Sequence, residues 1–183
     1  SMYAHFPGLK VIYTSEPADA KGLLKSAIRD DNPVIFMESE QMYGLKGEVP
    51  EDEDYIIPIG KGKIKRDGEH VTLVAHGKMY HLAVKAAEQL SKDGVECEII
   101  DPRTVKPLDL PLIIESIKKT NRCVILDEAH PFGGLAAEVG FLIQREAFDY
   151  LDAPVQRVTL PDVCAPFAKN LFSDLNIDFL GKR

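Results

Sequence analysis

Apolar and polar positions repeat at two periods along the chain, and each change of period marks an element. Leu9 to Tyr13 is rich in β-formers and predicts a strand. Asp19 to Arg29 carries Leu23, Leu24, Ala27 and Ile28 among helix formers. Pro17 suits the first helical turn, and Pro33 stops the helix before the apolar run Val34 to Met37. This is one strand–helix–strand unit. It is too small to bury both faces of its sheet, so it calls for more strands, from upstream sequence or from another chain. The opening Ser1-Met2 and the abrupt entry into the first strand read as an internal segment of a longer polypeptide.

From Ser39 to Gly62 the periodicity lapses. Tyr43 to Asp54 is acidic and broken by Gly and Pro, which reads as a solvated connector rather than a binding tail. A regular alternation follows. Lys63 to Arg66 and His70 to Ala75 flank Asp67-Gly68, a turn signal that predicts a hairpin with an antiparallel edge strand. Met79 to Ser91 is helical, with Tyr80, Ala83, Val84, Ala87 and Leu90 at spacings of three and four, and Asp93-Gly94 closes it. Val95 to Ile100, Arg122 to Leu126 and Val155 to Leu160 read as strands; Leu110 to Lys119, Gly134 to Tyr150 and Ala168 to Leu175 read as helices. The alternation predicts an α/β fold, a doubly wound and mostly parallel sheet with one antiparallel edge strand, preceded by the partial unit. The domain division expected is 1–40, a connector over 41–62, and 63–183.

Composition narrows the functions. The 183 residues carry a formal net charge of −7 with Lys and Arg dispersed, so neither nucleic acid nor an anionic membrane surface is an expected partner. The three cysteines, Cys97, Cys123 and Cys164, form no CxxC pair, which suits a reducing compartment, the cytoplasm or a mitochondrial matrix. The apolar runs fall far below the roughly 20 residues that span a bilayer.

Candidate chemistry is sparse. His76 and His81 are five positions apart, about 140° around a helix of 3.6 residues per turn, which is poor metal-ligand spacing. The P-loop, GxSxG and HExxH patterns do not occur. The stretch from Asp127 to Glu138 leaves a strand, passes the glycine turn Gly133-Gly134 and opens a helix. That is where doubly wound folds place ligands, and a helix N-terminus can receive an anion. Asp127, Glu128 and Glu138 already supply negative charge there, so a structural or interface role is the favoured reading. At the other candidate, Lys25 to Pro33, a proline-stopped helix leaves its last carbonyls open beside Asp30 and Asp31. Such carbonyls can wrap a hard cation, and an ordinary polar helix end is the plain alternative.

Five segments, in order over nearly the whole chain, resemble one family. They are His5-Phe-Pro-Gly-Leu-Lys-Val, Asp19 to Val34, Ile57-Pro-Ile-Gly-Lys, Asp93 to Asp109 with its Asp-Pro-Arg-Thr core, and Phe148-Asp-Tyr-Leu-Asp-Ala-Pro-Val. The family is the beta subunits of the pyruvate dehydrogenase decarboxylating component, in the transketolase-like superfamily. Branched-chain oxoacid and acetoin dehydrogenases share much of the pattern; a stand-alone, non-catalytic transketolase-like binding module is the other alternative. The resemblance implies the end of a pyrimidine-binding domain followed by a transketolase C-terminal domain. It implies a tetramer of two alpha and two beta subunits, with thiamine diphosphate and magnesium at the alpha–beta interface. The family's activating glutamate and catalytic histidine lie upstream of the segment matching Tyr3, so no catalytic or cofactor-binding residue is expected here, and the fragment is expected to be inactive. Ala27, Ile28, Asp30 and Asn32 match the family's potassium-binding carbonyls. Asp152 matches a position that docks the peripheral subunit-binding domain of dihydrolipoyl acyltransferase. The ending Leu180-Gly-Lys-Arg and the loop Asp127 to Gly134 depart from the family's usual apolar tail and Trp-containing loop. An open sheet edge around Val11 and Val34 predicts that the fragment self-associates.

Overall fold

The computed structural model describes residues 1–164; the helix expected over Ala168 to Leu175 lies outside them. Two sheets form. The first takes β1 (Lys10–Tyr13) and β2 (Val34–Met37), parallel to each other and joined through α2 (Pro17–Ile28), after a short helix α1 (Met2–His5). The second takes β3 (Lys63–Arg66), β4 (Val71–Ala75), β5 (Cys97–Asp101), β7 (Cys123–Leu126) and β8 (Gln156–Val158), in the order β3-β5-β4-β7-β8. Its helices are α3 (Lys78–Lys92), α4 (Leu110–Thr120) and α5 (Leu135–Ala147).

The strands of the second sheet are apolar on both sides because helices cover both faces. Neighbouring residues therefore serve opposite cores. Val74, Ile100 and Ile125 pack with Ile113 and Ile117 of α4 and Val139 and Ile143 of α5. Leu73, Ala75, Ile99 and Leu126 pack with Met79, Tyr80, Ala83 and Ala87 of α3. Buried Thr72 sits within the α4 side and is satisfied by the hydroxyls of Ser116 and Thr120 at 2.6 and 2.7 Å, as a buried hydroxyl requires.

The antiparallel edge strand is present, but the hairpin is not. β3 pairs with β5, and β5 lies between β3 and β4. The Asp67-Gly68 turn instead carries the chain past the start of β5, where the amides of Glu69 and His70 both donate to the Glu96 carbonyl at 3.2 and 2.9 Å. Only glycine fits this crossing: a Cβ on Gly68 would lie 2.2 Å from the Cys97 carbonyl carbon.

The first sheet also differs from expectation. A third strand, β6 (Thr104–Lys106), returns from the C-terminal part of the chain and pairs antiparallel with β1. The chain thus supplies one of the missing strands itself. Val11 lies on the central strand and is 4% exposed, so it forms no edge; the edge strands are β2, at Val34, and β6. The connecting stretch is only partly solvated. Ile57 is 6% exposed, packs with Ile12 and Leu23, and donates its amide to the Gly22 carbonyl at 3.2 Å; Ser26 Oγ donates to the Ile57 carbonyl at 2.6 Å.

Candidate functional site: the crevice between strands β4 and β7

In the second sheet, β4 leads into α3 on one face and β7 leads into α5 on the other. The loops leaving these two neighbouring strands diverge, which creates the crevice where doubly wound sheets bind ligands. Here the crevice is filled by the protein. Tyr13, the last residue of β1, enters it. Its hydroxyl donates to Glu128 Oε1 at 2.6 Å, and its ring meets His76 edge-on at 5.4 Å. Gly77, with φ +57°, lets the β4–α3 loop close over the ring, since a Cβ there would lie 2.2 Å from it.

The charges around Tyr13 suit a joint better than an anion site. Glu128 Oε2 lies 2.8 Å from Lys78 Nζ. Asp127 caps α5 from nine positions upstream: Oδ2 accepts the Ala136 amide at 2.9 Å and Oδ1 the Ala129 amide at 3.1 Å. Burial and the Glu128 carboxylate push the Tyr13 phenol well above its ordinary range. Burial lowers the His76 imidazole, with Asp127 and Glu128 pulling the other way. A diphosphate does not fit this crevice, which is occupied by an aromatic ring and lined by two carboxylates.

His76 precedes α3 rather than lying on it, so its relation to His81 is not the helical angle expected. His81 Nε2 donates to the Ser15 carbonyl at 2.8 Å instead. Beside the loop, a cleft of about 770 Å³ runs between α1 and the start of α5, past His5, Lys106, Gly133, Gly134, Glu138 and Leu142. Lys106 is engaged there, its ammonium donating to the carbonyls of Ala4 and Phe6 at 2.8 and 3.0 Å.

The other expected site residues lie apart from the crevice. Ala27 and Ile28 end α2, and the helix frays at once. Asp30 donates its amide to the Ala27 carbonyl at 3.3 Å. The Asn32 amide, which would extend the helix onto the Ile28 carbonyl, is held by Asp30 Oδ1 at 2.9 Å. Lys10 pairs with the other Asp30 oxygen, and with Asn32 it holds that carboxyl down at about 2. Asp152 is exposed and bonded within its own chain, accepting from Arg122 Nη2 at 2.8 Å. Among the described residues, no cluster of three His, Cys, Asp or Glu side chains could hold a metal ion, and no helix is long and apolar enough to cross a membrane.

The sequence singled out the β7–α5 loop but not its partners. Tyr13 and Gly77 had signals of their own: an aromatic at a strand end, and a second strand–glycine–helix junction.

Comparison with known proteins agrees with this architecture. The family model for the transketolase C-terminal domain matches residues 60–179, and that for the transketolase pyrimidine binding domain matches residues 1–46. The pyruvate dehydrogenase E1 component subunit beta of Rhizobium meliloti (strain 1021) is 50% identical over 169 residues, covering 92% of this chain and 37% of that protein. The acetoin:2,6-dichlorophenolindophenol oxidoreductase subunit beta of Bacillus subtilis (strain 168) is 48% identical over 167 residues, covering 91% and 48%. The mitochondrial pyruvate dehydrogenase E1 beta subunit of Rattus norvegicus is 48% identical over 173 residues, covering 92% and 48%. A solved structure described as a split gene transketolase, inactive beta4 tetramer, superposes with a TM-score of 0.74 at 25% identity, covering 95% of this chain and 54% of that one. The chain spans about half the length, or less, of these relatives. It belongs to the transketolase family, with the C-terminal domain over residues 60–179 and a match to the pyrimidine-binding domain over residues 1–46.

Proposed function

We propose that the chain is the C-terminal part of the beta subunit of a 2-oxoacid dehydrogenase, with pyruvate as the parent enzyme's substrate, and that its own work is assembly. The parent enzyme decarboxylates the oxoacid on thiamine diphosphate, held with magnesium between alpha and beta subunits, and passes the acyl group to a lipoyl group. The observation that carries the reading is the filled crevice. The sheet position where such folds bind ligands holds Tyr13, so this part of the subunit joins domains and leaves the cofactor to other parts. The relatives include bacterial and mitochondrial subunits, which suits a cytoplasmic or matrix location.

The purified chain, given thiamine diphosphate, magnesium and pyruvate, is expected to release carbon dioxide no faster than the cofactor alone. Enzyme-like turnover contradicts the reading. Extending the chain upstream to the length of its relatives and adding an alpha subunit is expected to give activity, and a panel of pyruvate, branched-chain oxoacids and acetoin identifies the substrate.

Two further parts of the proposal concern partners. Asp152 docks the peripheral subunit-binding domain of the acyltransferase, exchanging Arg122 for a basic side chain of the partner; Asp152→Asn weakens that binding and flattens its salt dependence. The end of α2 holds potassium on the carbonyls of Ala27, Ile28, Asp30 and Asn32, supported by the Ile28 carbonyl being left outside the helical ladder. Thermal unfolding in potassium, against sodium and choline at equal ionic strength, tests it: a potassium-specific rise is expected, and equal midpoints contradict it.

A further inference from the structure

A cluster of buried charge lies where the chain passes from one sheet to the other. β5 ends at Asp101 and β6 begins at Thr104, so Pro102 and Arg103 carry the crossing, with Arg103 in the left-handed region at φ 59°. A non-glycine residue holds that conformation at a cost in free energy. Asp101 fixes it, its Oδ1 accepting the Arg103 amide at 2.8 Å.

Groups from every neighbouring element face this turn. Lys65 on β3 places Nζ at 2.5 Å from Glu16 Oε2, 2.6 Å from Asp19 Oδ2 and 4.0 Å from Asp101 Oδ2. Arg103 Nη2 donates to Asp19 Oδ1 at 2.6 Å. From α3, Tyr80 donates its hydroxyl to Glu16 Oε1 at 3.0 Å, and His81 holds the Ser15 carbonyl. Three carboxylates, Glu16, Asp19 and Asp101, therefore face two cations, Lys65 and Arg103, and both cations are taken up by Asp19 and Glu16. Asp101 is 0% exposed, and its Oδ2 is buried without a hydrogen-bond partner, as are Ser15 Oγ and Arg103 Nε. An ionised carboxylate with a bare oxygen is costly in such a place. Protonated, the same oxygen becomes a donor; ionised, it has only the Ser15 hydroxyl beside it and the Lys65 ammonium 4.0 Å away to answer its charge.

We propose that the joint between the two sheets closes with one proton on the Asp101 carboxyl, so that acid favours the closed joint and ionisation of Asp101 loosens it. Burial drives the carboxyl up to about 6, against the opposing pull of Ser15, the Arg103 amide and Lys65. The folded value is raised, so this contribution is fully present below the unfolded value near 3.8 and is lost as pH rises through about 6. Glu16 acts in the opposite sense. Burial would raise it, but the Lys65 hydrogen bond and charge bring it below its ordinary value. The difference between wild type and Asp101→Asn, which keeps the neutral state, isolates the Asp101 contribution.

Amide exchange of Tyr13, whose N–H bridges the joint to the Arg103 carbonyl at 3.1 Å, reads the closure directly. Corrected for intrinsic rates, the ratio of its protection in wild type to that in Asp101→Asn is expected to fall between pH 4.5 and 8, by up to roughly thirtyfold for a carboxyl raised from near 3.8 to about 6. In Asp101→Asn the source of that fall is absent, which leaves only the opposite dependence of groups such as Glu16 and His76. Equal slopes in the two proteins overturn the proposal. Carbon-13 titration of the Asp101 carboxyl in the wild-type chain decides the matter even if the variant fails to fold: a midpoint near 6 supports the proposal, and one near or below 4 overturns it.

Discussion

Tyr13 joins two sheets through one hydroxyl and one ring. In Tyr13→Phe the ring keeps its contacts with His76 and Gly77 while Glu128 loses a donor and keeps Lys78. The expected loss is about 1–2 kcal/mol, a hydrogen bond to a charged group discounted for the partial exposure of Glu128, read by chemical denaturation. Lys65 is the more demanding residue. Its side chain is 4% exposed and answers Glu16 and Asp19, and these partners hold its ammonium above the ordinary lysine value despite burial. Lys65→Met strands those carboxylates, so a loss of roughly 3–5 kcal/mol is expected, smaller in acid, where Glu16 protonates. A loss independent of pH would show that packing, not charge, fixes Lys65. Cys123 behaves as core: burial pushes its thiol up to about 12, and it is not expected to react with thiol reagents in the folded chain.

At the scale of elements, the connector tests the packing most simply. Ile57 and Ile56 are neighbours, 6% and 48% exposed. Ile57→Ala is expected to cost about 2–4 kcal/mol by opening the core over α2, and Ile56→Ala no more than about 0.5 kcal/mol; similar losses at both would mean that the connector does not dock. Gly68→Ala drives a methyl into the β5 backbone and is expected to cost more than about 4 kcal/mol, in the range where single substitutions are exceptional, with β3 amides losing exchange protection first. These elements also show what the chain's pattern conveys. The helices at Asp19, Met79, Leu110 and Gly134 are legible because each buries a face with its own period, and the strands at Val34, Val71, Cys97 and Cys123 because each is a short β-rich run between turn or helix signals. Strand partners are not legible, because an Asp-Gly turn specifies a local bend and leaves open whether another strand inserts between its arms, as β5 does. β6 is unreadable for a related reason: Thr104-Val-Lys is short and half polar, and it becomes a strand only through β1, some 90 residues earlier in the chain.

At the scale of the whole molecule, the two sheets are held by two joints. One is the aromatic plug of Tyr13 between β4 and β7; the other is the ionic turn at Asp101 and Arg103. The loop from Asp127 to Gly134 was visible in advance as a strand–glycine–helix junction, but its role depends on a residue more than a hundred positions away, which no local pattern carries. On the proposed function, the crevice of the second sheet joins domains and takes no cofactor within this chain. Titration of the isotope-labelled chain with magnesium thiamine diphosphate, followed by amide chemical shifts, tests that most directly. No saturable shift is expected at Tyr13, His76, Gly77 or Glu128 up to millimolar cofactor. A saturable shift centred on those residues would contradict the account.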